Sequence, residues 1–302
     1  MRITNNMVTG SIMTELQQLE TQQSSLQTEV SSGLAVTQPS DNPQTFSQVI
    51  ELQGQSNQLQ QFDANATQAL NVANASYAGL SSLQQIYDRA SQLGALGTSA
   101  VDGTSQQAYA TEVDQLIQQA VQVGNTQLGS SYLFAGTADS SPPIAATTNA
   151  SGTITAVSYA GNSGATPIPI SETSTVVPGT SGETNSGIAD FINNLISLRD
   201  ALQSGGATGI SAANSNLSAS EDVITTAVAD NGAVQARIQS DQTQQQALAS
   251  QDATMISNAA DADLPTLMVQ LNQAQLAYQA ALQSSASVMH LSILNYINLS
   301  ST

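Results

Sequence analysis

Proline is concentrated in the middle of this chain, and that distribution limits the fold more than any other sequence feature. Five of the eight prolines lie in residues 138–186, which are also rich in Gly, Ser and Thr. Proline removes a main-chain donor and clashes with the preceding turn, so at this density it breaks helices. Residues 1–137 and 187–302 hold the other three prolines, are rich in Gln and Ala, and show helical periodicity instead.

Apolar side chains in both flanks recur at alternating intervals of three and four residues. This spacing places a narrow apolar stripe on one face of a helix, as in the seam of a coiled coil. The first stripe spans residues 12–30, with Gln23 in its one polar position. A single helix over residues 44–96 would be about 80 Å long. Further stripes run along residues 52–90, 109–123, 217–238 and 267–281.

Local signals mark where these helices start and stop. The first helix should end near Gly33, which can serve as a left-handed cap. Residues 39–43, with two prolines around Ser, Asp and Asn, predict a turn. Asn42 and Pro43 then suit the cap and first position of the next helix. Asp263 is the predicted cap of the last helix.

The proline-rich segment predicts short strands. Residues 153–159 alternate and are β-branched, residues 160–164 form a turn, and 167–170 resemble an edge strand. Residues 175–177 could form another strand. The segment is therefore interpreted as a small β insert.

The predicted fold is mainly α with this small β insert, a long antiparallel helical bundle or coiled-coil rod formed by both chain ends. Five segments are expected: an N-terminal coiled-coil assembly segment, a helical rod domain, an outward β-rich domain, the returning helical rod domain and a C-terminal coiled-coil assembly segment. They span residues 1–43, 44–137, 138–186, 187–260 and 261–302.

The charge balance excludes several classes of function. The chain has 4 arginines, no lysine and 22 acidic residues, a formal charge of −18. Such a chain cannot neutralise a run of phosphates and should not adhere to anionic lipid, so neither nucleic acid nor membrane is an expected partner. Without cysteine there is no disulfide and no thiolate nucleophile. No cleavable signal or membrane-spanning stretch is visible, which predicts a cytoplasmic protein or export without a conventional signal.

Candidate chemical sites are weak. His290 is the only histidine and has no Ser-His-Asp spacing around it. Asp261 and Asp263 lack the further oxygen ligands of a calcium site, so helix capping is preferred for them. Residues 230–232, Asp-Asn-Gly, indicate a local irregularity in a helix. No phosphate-binding glycine motif is present. We therefore expect no catalytic, cofactor or metal site, and no enzymatic activity.

The apolar stripes at the two ends are the expected functional surface. A thin terminal helix has little of its own chain to bury against, so these ends should make intermolecular contacts and be mobile in an isolated monomer. Where they are ordered, we expect them to pack on another chain or on each other. The predicted assembly residues are Ile3, Met7, Ile12, Leu16, Leu19, Leu26, Val30, Leu267, Leu271, Tyr278, Leu282, Leu291, Leu294 and Ile297.

Four motifs resemble those of the flagellin family, most closely its hook-associated protein 3 branch. The opening MRITNNM is similar to the start of that branch, and SSGLAV followed by PSDNP, at 31–43, is similar to its SSGKRV and PSDDP motifs. Residues 129–137, GSSYLFAGT, resemble its YLFAG motif, and residues 278–297 resemble its YQAAL and SLLDYL ending. The sequence departs from the family at Leu34-Ala35, where basic residues are usual, and at Asn42, usually Asp.

The resemblance implies a structural protein of the bacterial flagellum at the hook–filament junction. It implies terminal helices that form inner coiled-coil tubes, an outward middle domain, and extracellular assembly after type III export without a cleaved signal. The implied partners are other copies of the chain, hook-associated protein 1, flagellin and a flagellar export chaperone.

Two other functions stay open at this point. One is a minor flagellin that polymerises into the filament itself. The other is a secreted enzyme or adhesin on a flagellin-like frame, with its activity in residues 138–186. Because that segment has no His, Lys, Arg or Cys, catalysis there is not expected.

Overall fold

The structure is a computed structural model that describes residues 5–100 and 102–299, with side chains described for residues 10–100 and 102–287. Ile3 thus lies outside the described residues. Most of the described chain is helical, in agreement with the predicted mainly α fold with a small β insert. The helices are α1 (Asn5–Ser32), α2 (Pro43–Ser99), α3 (Gly103–Gly124), α4 (Gly182–Ser204), α5 (Ala207–Ala260) and α6 (Leu264–Leu299). None of these helices has an apolar stretch long enough to cross a membrane.

The helix boundaries follow the local signals in the sequence. Gly33 ends α1 with a φ of 72°. The Asn42 side chain accepts a hydrogen bond from Thr45 N at 3.2 Å, with Pro43 as the first residue of α2. Asp263 directly precedes α6. These three predicted helix ends are confirmed.

Six short strands form three separate antiparallel pairs. They are β1 (Gln127–Leu128) with β2 (Ser131–Tyr132), β3 (Ile144–Thr148) with β4 (Ile154–Tyr159), and β5 (Ile168–Pro169) with β6 (Thr175–Val176). The strands predicted at 153–159, 167–170 and 175–177 are thus present. β1, β2 and β3 were not expected from the sequence, and α4 begins five residues before the predicted start of the returning helices.

The chain divides into two compact units. One contains Met1–Asn57 and Ala249–Thr302, and the other contains Gln58–Leu248. The second unit holds the main apolar core, in which β3 and β4 pack with α2, α3, α4 and α5. The β strands therefore share a core with the helices around them.

Helices α2 and α5 run antiparallel within the second unit. The Gln84 side chain donates to Thr225 at 3.1 Å, and the Gln242 side chain donates to Thr67 at 3.2 Å. The chain therefore doubles back on itself there, as predicted. The prediction of a helix irregularity at 230–232 was wrong, because α5 continues through these residues without a break. Asn231 is buried and accepts a hydrogen bond from the Gln235 side chain, four residues later, at 2.7 Å. Residues four apart are neighbours on a helix, so this bond favours the helix over a turn.

The β3–β4 hairpin is attached to the helices by side-chain amides that act like short strands. Asn193 of α4 accepts from Val157 N and donates to Val157 O, both at 3.0 Å. Asn125, which follows α3, bonds Ile144 N and O in the same way, both at 2.9 Å. Buried Arg199 donates to Ile154 O at 2.6 Å. The hairpin is thereby fixed on α3 and α4.

The segment that resembles YLFAG has a packing role. The Phe134 ring is fully buried, and a Cβ at Gly79 would lie 2.8 Å from its Cζ. Gly79 therefore leaves room on α2 for the ring. Gly136 has a φ of 69° and lies against the main chain of Asn162, so a side chain there would be both strained and obstructed.

Candidate assembly interface

The stripes of α1 and α6 pack against each other within the first unit. Leu26, Leu267 and Ala274 are buried there in one cluster, with Val30 and Leu271 packed on it. Burial recurs on α1 at residues 12, 16, 19, 23, 26 and 30, and on α6 at residues 267, 271, 274, 278, 281 and 285. The alternation of three and four residues on both helices is that of a coiled-coil seam, as the sequence predicted.

A short main-chain connection fixes the register of this helix pair. Ala35 N donates to Ala260 O at 2.7 Å, and Ala262 N donates to Gly33 O at 2.9 Å. Leu34 and Asp261 form an antiparallel bridge at this point. Because the bridge joins the end of α1 to the start of α6, it fixes their antiparallel alignment.

The turn between α1 and α2 is organised by Asp41. Its Oδ2 accepts hydrogen bonds from Gln38 N at 2.9 Å, from Thr37 N at 3.0 Å and from Thr37 Oγ1 at 3.2 Å. These bonds, those from the main chain of Gln38 and Thr37 above all, favour the ionised carboxylate and hold the pKa of Asp41 below its ordinary value. Asp41 belongs to the motif that resembles PSDDP, so this motif has a structural role.

Helix α6 also exposes apolar side chains on the face that α1 does not cover. Leu276 is 66% exposed and Val269 is 57% exposed. They are seven residues apart, which is about two helical turns, so they lie on the same face. Leu264, Met268 and Leu282 are exposed beside the buried stripe. The sequence of α6 contains no Asp, Glu, Lys or Arg, so these exposed side chains have no such charged neighbour on their own helix.

The predicted assembly residues differ in their surroundings. Leu26 and Leu267 are buried, Leu282 is exposed, and the other described ones are half-buried in the α1–α6 seam: Ile12, Leu16, Leu19, Val30, Leu271 and Tyr278. The side chains of Met7, Leu291, Leu294 and Ile297 are not among those described. The role of all the predicted assembly residues as contacts to other chains stays a prediction. Sequence reasoning missed Val269 and Leu276, because they lie outside the main stripe.

The described residues contain no other candidate chemical site. No group of three or more acidic, histidine or cysteine side chains is placed to hold a metal among them. Asp261 and Asp263 are exposed at the start of α6, and the Asp263 carboxylate accepts a hydrogen bond from Thr266 Oγ1 at 2.6 Å. Asp263 occupies the cap position, directly before the first residue of α6. The His290 side chain lies outside the described side chains.

Comparison with known proteins finds a similarity for the N-terminal part of the chain. Residues 3–139 match the family model described as the bacterial flagellin N-terminal helical region. The matched residues make up just under half of the chain, so the match describes what this part of the chain is similar to. The match includes α1, α2, α3 and the first β hairpin, so it covers the α1 half of the seam. No curated protein matches the sequence.

Solved structures share the fold at low sequence identity. A protein from Vibrio parahaemolyticus described as a flagellar hook-associated protein aligns with a TM-score of 0.65 and 13% identity, over 73% of this chain and 100% of its own. FlgL from Bacillus cereus aligns with a TM-score of 0.55 and 18% identity, over 70% of this chain and 98% of its own. At these identities the likeness establishes a flagellin-like helical fold.

Proposed function

We propose that this chain is a structural protein of the bacterial flagellum that joins the hook to the flagellin filament. The observation that carries the proposal is the match of residues 3–139 to the flagellin N-terminal family model, combined with a fold similar to the whole solved chain of a protein described as a flagellar hook-associated protein. The segments that resemble PSDDP and YLFAG occupy ordered structural positions at Asp41 and Phe134. Such a protein acts by assembly and needs no catalytic residues.

The surface that suits this role is the apolar, uncharged exterior of α6. In the single chain the α1 stripe already covers one face of α6, so contacts to other subunits would use the face that carries Val269 and Leu276. Exposed apolar side chains that form a contiguous surface are typical of protein–protein contacts. The predicted partners are other copies of this chain in the same layer, hook-associated protein 1 and flagellin.

The proposed site of action is the extracellular flagellum, reached through the flagellar type III apparatus without a cleaved signal peptide. A cytoplasmic export chaperone would cover the C-terminal segment before export. The reason is physical: an uncharged helix with exposed leucines is prone to associate while free subunits accumulate.

A minor flagellin is the second candidate function. The matching family model describes flagellin, whose filament-forming members share this N-terminal region. The two candidates differ in what a cell loses without the protein. A junction protein is needed before any filament can attach, whereas a minor flagellin is needed only for part of the filament.

Deletion of the gene tests the proposal. We expect cells with intact hooks, no attached filaments and flagellin monomers shed into the medium, all visible by electron microscopy and immunoblotting of the medium. Normal filaments in the deletion strain would contradict the junction role, and shortened or altered filaments would favour the minor flagellin.

Complementation with two matched variants tests the surface. Leu276→Asn places an amide on the exposed face of α6, and Leu248→Asn makes the same change at an exposed leucine of α5. Neither should unfold the subunit, since exposed substitutions change stability by about 0.5 kcal/mol or less. We expect only Leu248→Asn to restore filaments. Equal restoration by both would place the assembly surface elsewhere.

A further inference from the structure

The main-chain groups of β3 alternate in direction. In an antiparallel pair they point in turn toward the partner strand and away from it. At one end Pro143 O accepts from Ala160 N at 2.7 Å, and at the other Asn149 N donates to Thr153 O at 3.0 Å. Odd-numbered residues of β3 therefore bond β4, and even-numbered residues direct their N–H and C=O groups outward.

Among the even-numbered residues of β3, only Ile144 has hydrogen-bond partners for its outward main-chain groups. The N–H and C=O of Ile144 bond the Asn125 side chain. Ala146 and Thr148 are exposed, and in the described structure β3 pairs with no strand other than β4. The outer edge of β3 at Ala146 and Thr148 is therefore open; we call it the open β3 edge.

The other strand edges nearby are covered. β4 lies against α4, where Asn193 and Arg199 bond its outward groups. In β5, Pro169 cannot donate, and its carbonyl accepts from the Asn65 side chain at 2.9 Å. Natural proteins cover or charge exposed edges because an unpaired strand recruits another strand. The open β3 edge has neither protection. The hairpin has a register irregularity between Thr147 and Thr148, but the pairing skips Thr155, so the extra residue lies on β4 and the alternation of β3 continues through it.

The sequence around the open β3 edge is also uncharged. Between Asp139 and Glu172 there is no charged residue, although the chain carries a formal charge of −18. Two copies of such a chain repel each other wherever their carboxylates approach. An uncharged strand fixed by Asn125 is therefore a surface on which a second copy can come close.

We propose that the open β3 edge pairs with the same edge of a second copy of this chain, about a two-fold axis at Thr147. In this antiparallel register Ala146 is opposite the partner's Thr148, and each such pair exchanges both main-chain hydrogen bonds. The Asn125 bonds to Ile144 remain in place. The two copies run in opposite directions, so this contact is separate from a layer whose subunits all point the same way, and it does not depend on the proposed function.

Introduced cysteines test this register, because the chain has none of its own. Thr147 would face the partner's Thr147 in a non-hydrogen-bonded pair, with Cα atoms about 4.5 Å apart. That distance suits a disulfide, for which Cα atoms lie about 4.4–6.8 Å apart. The control is Ala156→Cys, since Ala156 is the exposed partner of Thr147 on β4. Two copies of Ala156 would be three strand spacings apart, about 14 Å.

Oxidation of the purified full chain, followed by a non-reducing gel, gives the result. We expect a disulfide-linked dimer from Thr147→Cys and none from Ala156→Cys. Equal cross-linking of both would overturn the proposal. Addition of Ala146→Pro to Thr147→Cys removes an outward N–H and leaves the hairpin's own ladder intact, so the dimer should be lost. Persistence of the dimer would also overturn the proposal.

A cysteine-free measurement guards against variants that fail to fold. Thr147→Lys and Thr147→Glu each place like charges opposite one another in the dimer, which disfavours pairing. We expect each to sediment as a monomer with an unchanged helical circular dichroism spectrum, and their equimolar mixture to associate. A mixture no more associated than its components would contradict the pairing. Leu276→Asn should leave the Thr147 cross-link unchanged, so failure of one proposal is distinguishable from failure of the other.

Discussion

Asp41 shows how one side chain can fix the connection between two helices. Three hydrogen bonds converge on its Oδ2, two of them from the main chain of Thr37 and Gln38. The carboxylate is exposed to solvent, so its effect depends on charge-assisted hydrogen bonding and not on burial. The sequence predicted a turn at 39–43 from its prolines, but it did not identify the acceptor that orders residues 37 and 38.

Stability should depend on the ionisation of Asp41. Because its pKa is lower in the folded chain than the ordinary value of 3.8, the contribution is complete above that ordinary value. It is lost as pH falls through the folded pKa. We expect Asp41→Ala to lower the melting temperature at pH 7, and the difference from the wild type to shrink as pH falls below that ordinary value. Thr37→Val keeps both main-chain bonds and should retain the pH dependence. A difference that is constant from pH 7 to pH 2 would contradict this account.

At the scale of elements, the long helices follow directly from the sequence and the short strands do not. α1, α2 and α3 lie where the apolar stripes predicted helices. A spacing of three and four residues that continues over many turns is typical of a helix and does not fit a strand. β1 and β2 have two residues each, too few for alternation to be visible. β3 follows two prolines and contains small residues, and its position depends on Asn125. The prediction of an irregularity at 230–232 was wrong because packing in a long helix overrides local turn propensity.

The two hydrogen bonds between the Asn193 side chain and Val157 of β4 should hold the hairpin on α4. Asn193→Leu removes a donor and an acceptor and leaves Val157 N–H and C=O without partners, which costs about 1–3 kcal/mol for each buried group left unpaired. We expect faster amide hydrogen exchange in residues 144–159, with little change in α2. Asn193→Asp keeps the acceptor for Val157 N and should have an intermediate effect. Exchange in the hairpin as slow as in the wild type would show that Arg199 and Asn125 suffice.

At the scale of the whole molecule, the ion pairs of the described residues lie apart from the α1–α6 seam. The three ion pairs of the described residues, Arg89–Glu112, Arg199–Asp114 and Arg199–Asp200, all lie in the unit Gln58–Leu248. The α1–α6 seam contains none of them, and α6 has no charged residue apart from its single histidine. The sequence predicted this seam from its spacing. It could not show that Val269 and Leu276 stay exposed, because α6 has no Asp, Glu, Lys or Arg to mark its solvent side.

Self-association through α6 should therefore not weaken in salt. An interface held by ion pairs loses affinity as salt screens the pairs, whereas copies that carry a net charge of −18 repel less as the Debye length falls from about 8 Å at 0.15 M to about 3 Å at 1 M. We expect the critical concentration for association, measured by sedimentation, to stay constant or fall between 0.15 and 1 M NaCl. Leu276→Asn should raise it at every salt concentration, because the lost contact is apolar. If 1 M NaCl instead dissolves the assemblies, ion pairs contribute to the contact and this account of it is wrong.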